Sequence, residues 1–194
     1  WKVAADVCTP INRYKTEVNP EIKYTSDQVF LFETIKNRRT VRKFKPDPVP
    51  KEHILKILDA ARFAPTAGNQ QPWKFLVIQK REKLAELQKE ALSWYLDLYQ
   101  MKKMPTEQEL AQTRESVRKT LENVLSAPVY IAVLVDSSAK YADEILYDGT
   151  LAAENLMIAA RALGYGTGFF TCFFPEEKME KFFNSPEQCG LIWF

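Results

Sequence analysis

Apolar positions recur along this chain with two periods, and the period changes where proline, glycine or small polar residues intervene. Val29, Phe30, Phe32 and Ile35, sharing a side with Glu33 and Lys36, predict a helix over residues 26–38 with Ser26 as its N-cap. Pro46, Pro48 and Pro50 mark the loop that follows, and Pro50 suits the first turn of a second helix, where its missing N–H costs nothing. That helix carries Ile54, Leu55, Leu58 and Ala61 at helical spacing. A turn-rich stretch, residues 65–72, leads into a strand over residues 73–79, with Phe75, Leu76, Val77 and Ile78 in succession. Residues 81–103 read as a helix, and Pro105 opens another that reaches about Ser126. The apolar run from Ala127 to Val135 predicts a buried strand over residues 129–136. Residues 141–163 read as one long helix with Gly164 as its C′ residue. From Gly149 onward this helix is apolar nearly all round, which implies burial in a core or a subunit interface. A strand over 167–174, a short helix over 175–183 and a last strand over 190–194 complete the pattern. Residues 1–25 show no sustained period and read as an irregular extension, leaving 26–194 as the domain.

Strands separated by helices predict a helix-packed sheet, of α/β or α+β class, rather than a sandwich. The 194 residues suffice for one domain with a real core, and the 46% hydrophobic and 27% charged content is that of an ordinary globular protein. A net charge of +2 gives no electrostatic case for nucleic acid or membrane binding. No apolar run approaches the roughly 20 residues that span a bilayer, and no leader segment is recognisable. Three cysteines, Cys8, Cys172 and Cys189, cannot all pair and lack metal-ligand spacing, which predicts a reducing, cytoplasmic setting and no metal.

Three segments could carry chemistry. Arg38-Arg39-Thr40-Val41-Arg42-Lys43 follows directly on a helix; guanidinium forks match phosphate oxygens and Thr40 adds a hydroxyl donor, although a solvated basic turn has the same composition. Residues 64–73, Ala-Pro-Thr-Ala-Gly-Asn-Gln-Gln-Pro-Trp, are dense in amide groups and in residues that let backbone approach a flat heterocycle; an ordinary polar loop is the alternative. Gly164, Gly166 and Gly168 follow a helix and precede a strand, the reverse of the dinucleotide-binding order, and imply tight backbone geometry beside something flat. His53 is the one histidine, expected to be exposed, so neither a metal site nor a histidine-based nucleophilic machine is expected. Cys172 reads as a core cysteine.

Taken together, these segments resemble the FMN-dependent nitroreductase family. Residues 38–44 resemble its Arg-Arg-Ser-Val-Arg-x-Phe/Tyr, residues 64–73 its Ala-Pro-Ser-x-x-Asn-x-Gln-Pro-Trp, and residues 151–168 the helix ending in Ala-x-x-Leu-Gly-Leu-Gly-Thr. The resemblance covers residues 29–194 and implies a central mixed sheet flanked by helices, in an intertwined homodimer with FMN at the interface. It implies that Arg38, Arg39, Thr40 and Arg42 hold the phosphate, ribityl chain and N1/O2 edge of FMN. Pro65, Thr66, Ala67 and Asn69, with Gln71 close by, would line the same flavin from the other subunit. Thr171 and Cys172 fall where the family presents backbone N–H groups to N5 and O4, although Phe169-Phe170-Thr171-Cys172 departs from the usual motifs there. The family continues after its last strand into Gly-Tyr-Pro and a Lys-Pro-Arg tail; the sequence stops at Phe194, and that tail is expected to be absent.

The implied activity is hydride transfer from NAD(P)H through flavin N5 to a small acceptor such as a nitroaromatic, quinone or free flavin, by ping-pong kinetics and without a protein nucleophile. Dehalogenation of phenols on the same scaffold, or FMN binding without turnover, are the alternatives. Trp94, Tyr95, Tyr99, Met101 and Met104 lie where the family places a variable lid, and an apolar helix face packed on the core is an equal reading of them.

Overall fold

The computed structural model describes residues 25–170, Phe182 and residues 189–193. Helix α1 (Ser26–Asn37) places Ser26 in its first turn rather than at the cap; the carbonyl of Thr25 accepts the Val29 N–H at 3.0 Å. Helix α2 (Lys51–Ala61) begins directly after Pro50 and buries Ile54, Ile57 and Ala61. Leu55, expected inside, is 54% exposed, because it lies about 100° round the helix from Ile54.

Strand β1 (Trp73–Ile78) is followed by helices α3 (Arg81–Lys103) and α4 (Glu107–Val124), and then by strand β2 (Tyr130–Asp136). The α3–α4 corner turns at Met104, in the left-handed region at φ 45°. Thr106 then caps α4 reciprocally: its Oγ1 accepts the Glu109 N–H, and its own N–H donates to the Glu109 carboxylate at 2.8 Å. The expected helix over 141–163 is interrupted: a 3₁₀ turn, Ala142–Glu144, precedes α5 (Ile145–Ala162). Helix α5 ends as the sequence predicts. Gly164 has φ 87°, its N–H donates to the carbonyl of Arg161 and that of Tyr165 to Ala160, both at 2.9 Å, which together form a Schellman motif.

Strand β3 (Cys189–Trp193) completes a three-stranded sheet in the order β1-β2-β3. Both pairings are antiparallel, with Phe75 opposite Val133 and Leu134 opposite Leu191. Among the described residues, parallel pairing occurs at a single bridge, Thr40 to Thr167, outside these three strands. The reason lies in the connection. One crossover helix would return the chain to the start of β1 and force a parallel neighbour; the two antiparallel helices α3 and α4 bring it back to the end where β1 finished. Of the strand expected over 167–174, the described part forms only the bridge at Thr167. Residues 171–174 and the expected helix over 175–183 lie outside the described residues, apart from Phe182, which is helical.

Both faces of β2 are covered, as its uninterrupted apolar run requires. Tyr130, Ala132 and Leu134 face α3 and α4, among Leu87, Trp94 and Leu121. Ile131, Val133 and Val135 face α2 and α5, among Ile57, Ala153 and Leu156. The exception to burial is α1, whose Val29, Phe30, Leu31, Phe32 and Ile35 are 44–58% exposed while Thr34 is buried.

Candidate functional site

The basic segment is held by the glycine-rich one. The Val41 N–H donates to the carbonyl of Thr167 at 2.8 Å, and Thr40 bridges Thr167 in parallel. A Cβ on Gly166 would lie 2.6 Å from Val41 Cγ2, and one on Gly168 would lie 2.6 Å from the Val41 carbonyl oxygen. Glycine is thus needed at both positions so that the basic segment can lie alongside; the flat neighbour inferred from the sequence is, at these two residues, the chain itself. With Val41 turned inward and half-buried, Thr40 and Arg42 are exposed. Arg42 makes no hydrogen bond or ion pair among the described residues. Arg39 donates to the carbonyls of Lys36 and Arg38, and Arg38 lies 3.5 Å from the carboxylate of Glu154 on α5.

An apolar cavity of about 580 Å³ lies behind this segment, lined by Val41, Phe44, Ile57, Leu156, Met157 and Tyr165 among others, but by none of Arg38, Arg39, Thr40 and Arg42. The described chain therefore holds its candidate phosphate ligands on an open surface. His53, expected to be exposed, is half-buried, with Nδ1 2.7 Å from the Tyr165 hydroxyl at one edge of this region.

The second segment is a strained loop. Gly68, Asn69 and Gln71 have φ of 55°, 56° and 48°, a conformation that costs non-glycine residues roughly 1–2 kcal/mol each. Its internal bonds run from the Asn69 N–H to Thr66 O at 3.1 Å, from the Gln70 N–H to Ala67 O at 3.1 Å and from the Gln71 N–H to Thr66 Oγ1 at 3.2 Å. Its anchors lie in α5 and the turn before it. Asp148, 3% exposed, accepts the Ala67 N–H at 3.0 Å and the Gln70 side-chain amide at 2.8 Å. Gln70 also exchanges two bonds with the backbone of Tyr141, whose ring packs on Gly68. Pro65, Asn69 and Gln71 are left exposed, with Thr66 and Ala67 half-buried.

Within one chain both segments contact α5: the loop at Asp148, and the basic segment at Glu154 through Arg38. Thr171 and Cys172 lie outside the described residues.

The nitroreductase family model matches residues 35–193. The chain belongs to the nitroreductase family. A protein of Methanothermobacter thermautotrophicus provisionally designated an NADH dehydrogenase/NAD(P)H nitroreductase is 33% identical over 161 residues, covering 81% of this chain and 70% of its own. The iodotyrosine deiodinase of Thermotoga neapolitana is 28% identical over 163 residues, covering 83% of each. Among solved structures, oxidized iodotyrosine deiodinase bound to FMN and 3-iodo-L-tyrosine superposes with a TM-score of 0.67 at 25% identity, over 84% of this chain and 85% of that one. The chain is thus a nitroreductase-family flavoprotein oxidoreductase with the family's α+β fold. No described helix is long and apolar enough to cross a membrane.

For a nitroreductase-family member, the donor set fits FMN: an exposed guanidinium at Arg42 beside the Thr40 hydroxyl for the anionic parts, and an exposed amide-rich loop for the flavin ring. The expected lid divides. Trp94 is buried against the core and stacks edge-on with Phe182, and Tyr95 packs on the same cluster, whereas Met101 and Met104 are 79% and 88% exposed at the end of α3. Sequence reasoning missed Asp148 and Tyr141. Asp148 had a detectable signal: it lies four and eight residues before Ala152 and Leu156, on the face of α5 that must be buried.

Proposed function

We propose that this protein binds FMN and transfers hydride from NAD(P)H to a small acceptor in two half-reactions, as a homodimer. The observation that carries the reading is the pairing of Val41 with Thr167, which leaves Thr40 and Arg42 exposed on either side of it. Arg38, Arg39 and Arg42 supply positive charge for the phosphate and for the flavin N1/O2 edge, and Thr40 supplies a hydroxyl donor. Bound FMN supplies the hydride chemistry itself, accepting and donating at N5. Pro65, Thr66, Ala67, Asn69 and Gln71 of a second copy of the chain line the flavin ring; Thr171 and Cys172 belong to the same proposal, as backbone donors.

The homodimer reading rests on two features. The family resemblance brings the loop of one copy of the chain to the basic segment of another. Exposed apolar residues on α1, and Leu146, Tyr147 and Leu151 on α5, offer a surface whose burial favours association.

The test is the visible spectrum of the purified protein with FMN, before and after anaerobic NAD(P)H. A perturbed flavin band that bleaches is expected. Bound flavin that does not bleach would leave a binder, and no binding would overturn the proposal. The likeness to iodotyrosine deiodinases over 83% of the chain favours a halogenated phenol as a second acceptor class. Iodide release from 3-iodotyrosine by the reduced protein checks it.

A further inference from the structure

We propose that Asp148 is a positioning residue for the flavin: through Gln70 it holds the 65–71 loop in the strained shape that presents its backbone to the ring. The proposal rests on the FMN reading above. Three observations carry it. The first is strain: Asn69 and Gln71 occupy the left-handed region, beside Gly68 in the same region. Short polar loops relax from such conformations unless their surroundings hold them there. The second is burial. Asp148 is 3% exposed on an otherwise apolar helix face with Gly149, Ala152 and Ala153, where a carboxylate is costly unless hydrogen-bonded. Both its oxygens are spent on the loop, Oδ1 on the Ala67 N–H and Oδ2 on the Gln70 amide. The third is direction. Gln70 Oε1 accepts the Tyr141 N–H at 2.8 Å, while Nε2 donates to the Tyr141 carbonyl at 3.2 Å and to Asp148 at 2.8 Å. The amide orientation is fixed by three groups at once, so the loop has one register against α5.

This geometry makes a prediction that a general packing role does not. In Asp148→Asn, the new amide must turn its oxygen to the Ala67 N–H, which aims its NH₂ at that of Gln70. Flipping Gln70 would then oppose both bonds to Tyr141. In Gln70→Glu, a second carboxylate faces Asp148. In the double variant, the carboxylate and amide exchange places. The Ala67 N–H, the Tyr141 N–H and the bond between positions 70 and 148 are all satisfied again, and the Tyr141 carbonyl, which loses its bond from position 70, still accepts the Glu144 N–H.

The experiment is FMN titration by fluorescence quenching of the wild type, both single variants and the double variant, with circular dichroism on each. Wild-type binding, a loss of about tenfold or more in each single variant and recovery in the double variant to within about threefold are expected. If the wild type does not bind FMN, the function proposed above is overturned and this inference with it. If the wild type binds and the single variants bind equally well, the clamp alone is overturned. Singles that lose affinity without rescue by the double variant overturn the hydrogen-bond geometry, as does lost stability in the singles with unchanged FMN affinity. Single variants that fail to fold while the double variant folds and binds support it.

Discussion

Arg42 and Gly68 are the two residues where role and environment separate most cleanly. Arg42 is exposed and makes no hydrogen bond or ion pair among the described residues, so Arg42→Ala is expected to change stability by no more than about 0.5 kcal/mol. If it faces the flavin, the same change lowers FMN affinity about tenfold or more and slows flavin reduction by NAD(P)H. Fluorescence titration beside a urea melt checks both, and unchanged affinity with unchanged reduction would remove Arg42 from the site. Gly68 is the opposite case. A Cβ there would lie 2.3 Å from the Tyr141 ring, and φ is 55°. Gly68→Ala therefore carries both a displacement of Tyr141 and a left-handed alanine, and is expected to cost about 1–3 kcal/mol in urea unfolding. Glycine at 68 was visible in the sequence; the aromatic ring against it was not, because Tyr141 lies 73 residues away.

Among the elements, α4 offers the clearest tests, since its contacts are local. Thr106→Ala removes the side-chain half of the capping box, leaving the backbone N–H at that position bonded to Glu109, and is expected to destabilise by about 1 kcal/mol, read from a thermal or urea melt. The same helix has an acid signature. Hydrogen bonding to Arg118, then to Lys119, lowers the Glu115 pKa from 4.5 to about 2, and the Thr106 N–H and hydroxyl lower that of Glu109. A carboxylate whose pKa is depressed on folding stabilises above its unfolded value and loses that contribution as pH falls through the folded one. The urea midpoint is therefore expected to fall as pH drops from about 4.5 to about 2, with a shallower fall in Glu115→Gln. These groups are on the surface, so the effect is small and shrinks with added salt; an identical slope in the variant would count against the ion pair. The helices were legible from period and caps. What period could not show was that α2 turns Ile57 inward and Leu55 outward, or that α5 begins only after a 3₁₀ turn. Leu55 and Leu58 satisfy helical spacing as well as Ile54 and Ile57 do, and only the position of the sheet decides that Leu58 packs on the core with Ile57 while Leu55 faces out.

For the whole molecule, the exposed apolar residues of α1 and α5 set the expectation. The wild type should sediment as a dimer. Leu151→Glu, which puts a charge on the exposed side of α5, should give a monomer that loses FMN affinity in parallel, since each site would need the loop of the other copy. A monomeric wild type that binds FMN would refute the shared site.

The sequence by itself determined most of the described helices and strands, the Gly164 end of α5 and the three segments that carry the family likeness, because helical period, strand burial and turn chemistry are written in residues a few positions apart. The Schellman end of α5 at Gly164 and the fully buried β2 are of this kind. Tertiary structure alone decided that the α3–α4 hairpin makes β2 antiparallel to β1, that Gly166 and Gly168 make room for Val41, and that Asp148 reaches back about 80 residues to hold Ala67 and Gln70. Those outcomes depend on which surfaces meet once the core closes. Spacing along the chain cannot encode them, because a contact across the fold is set by the packing of everything between.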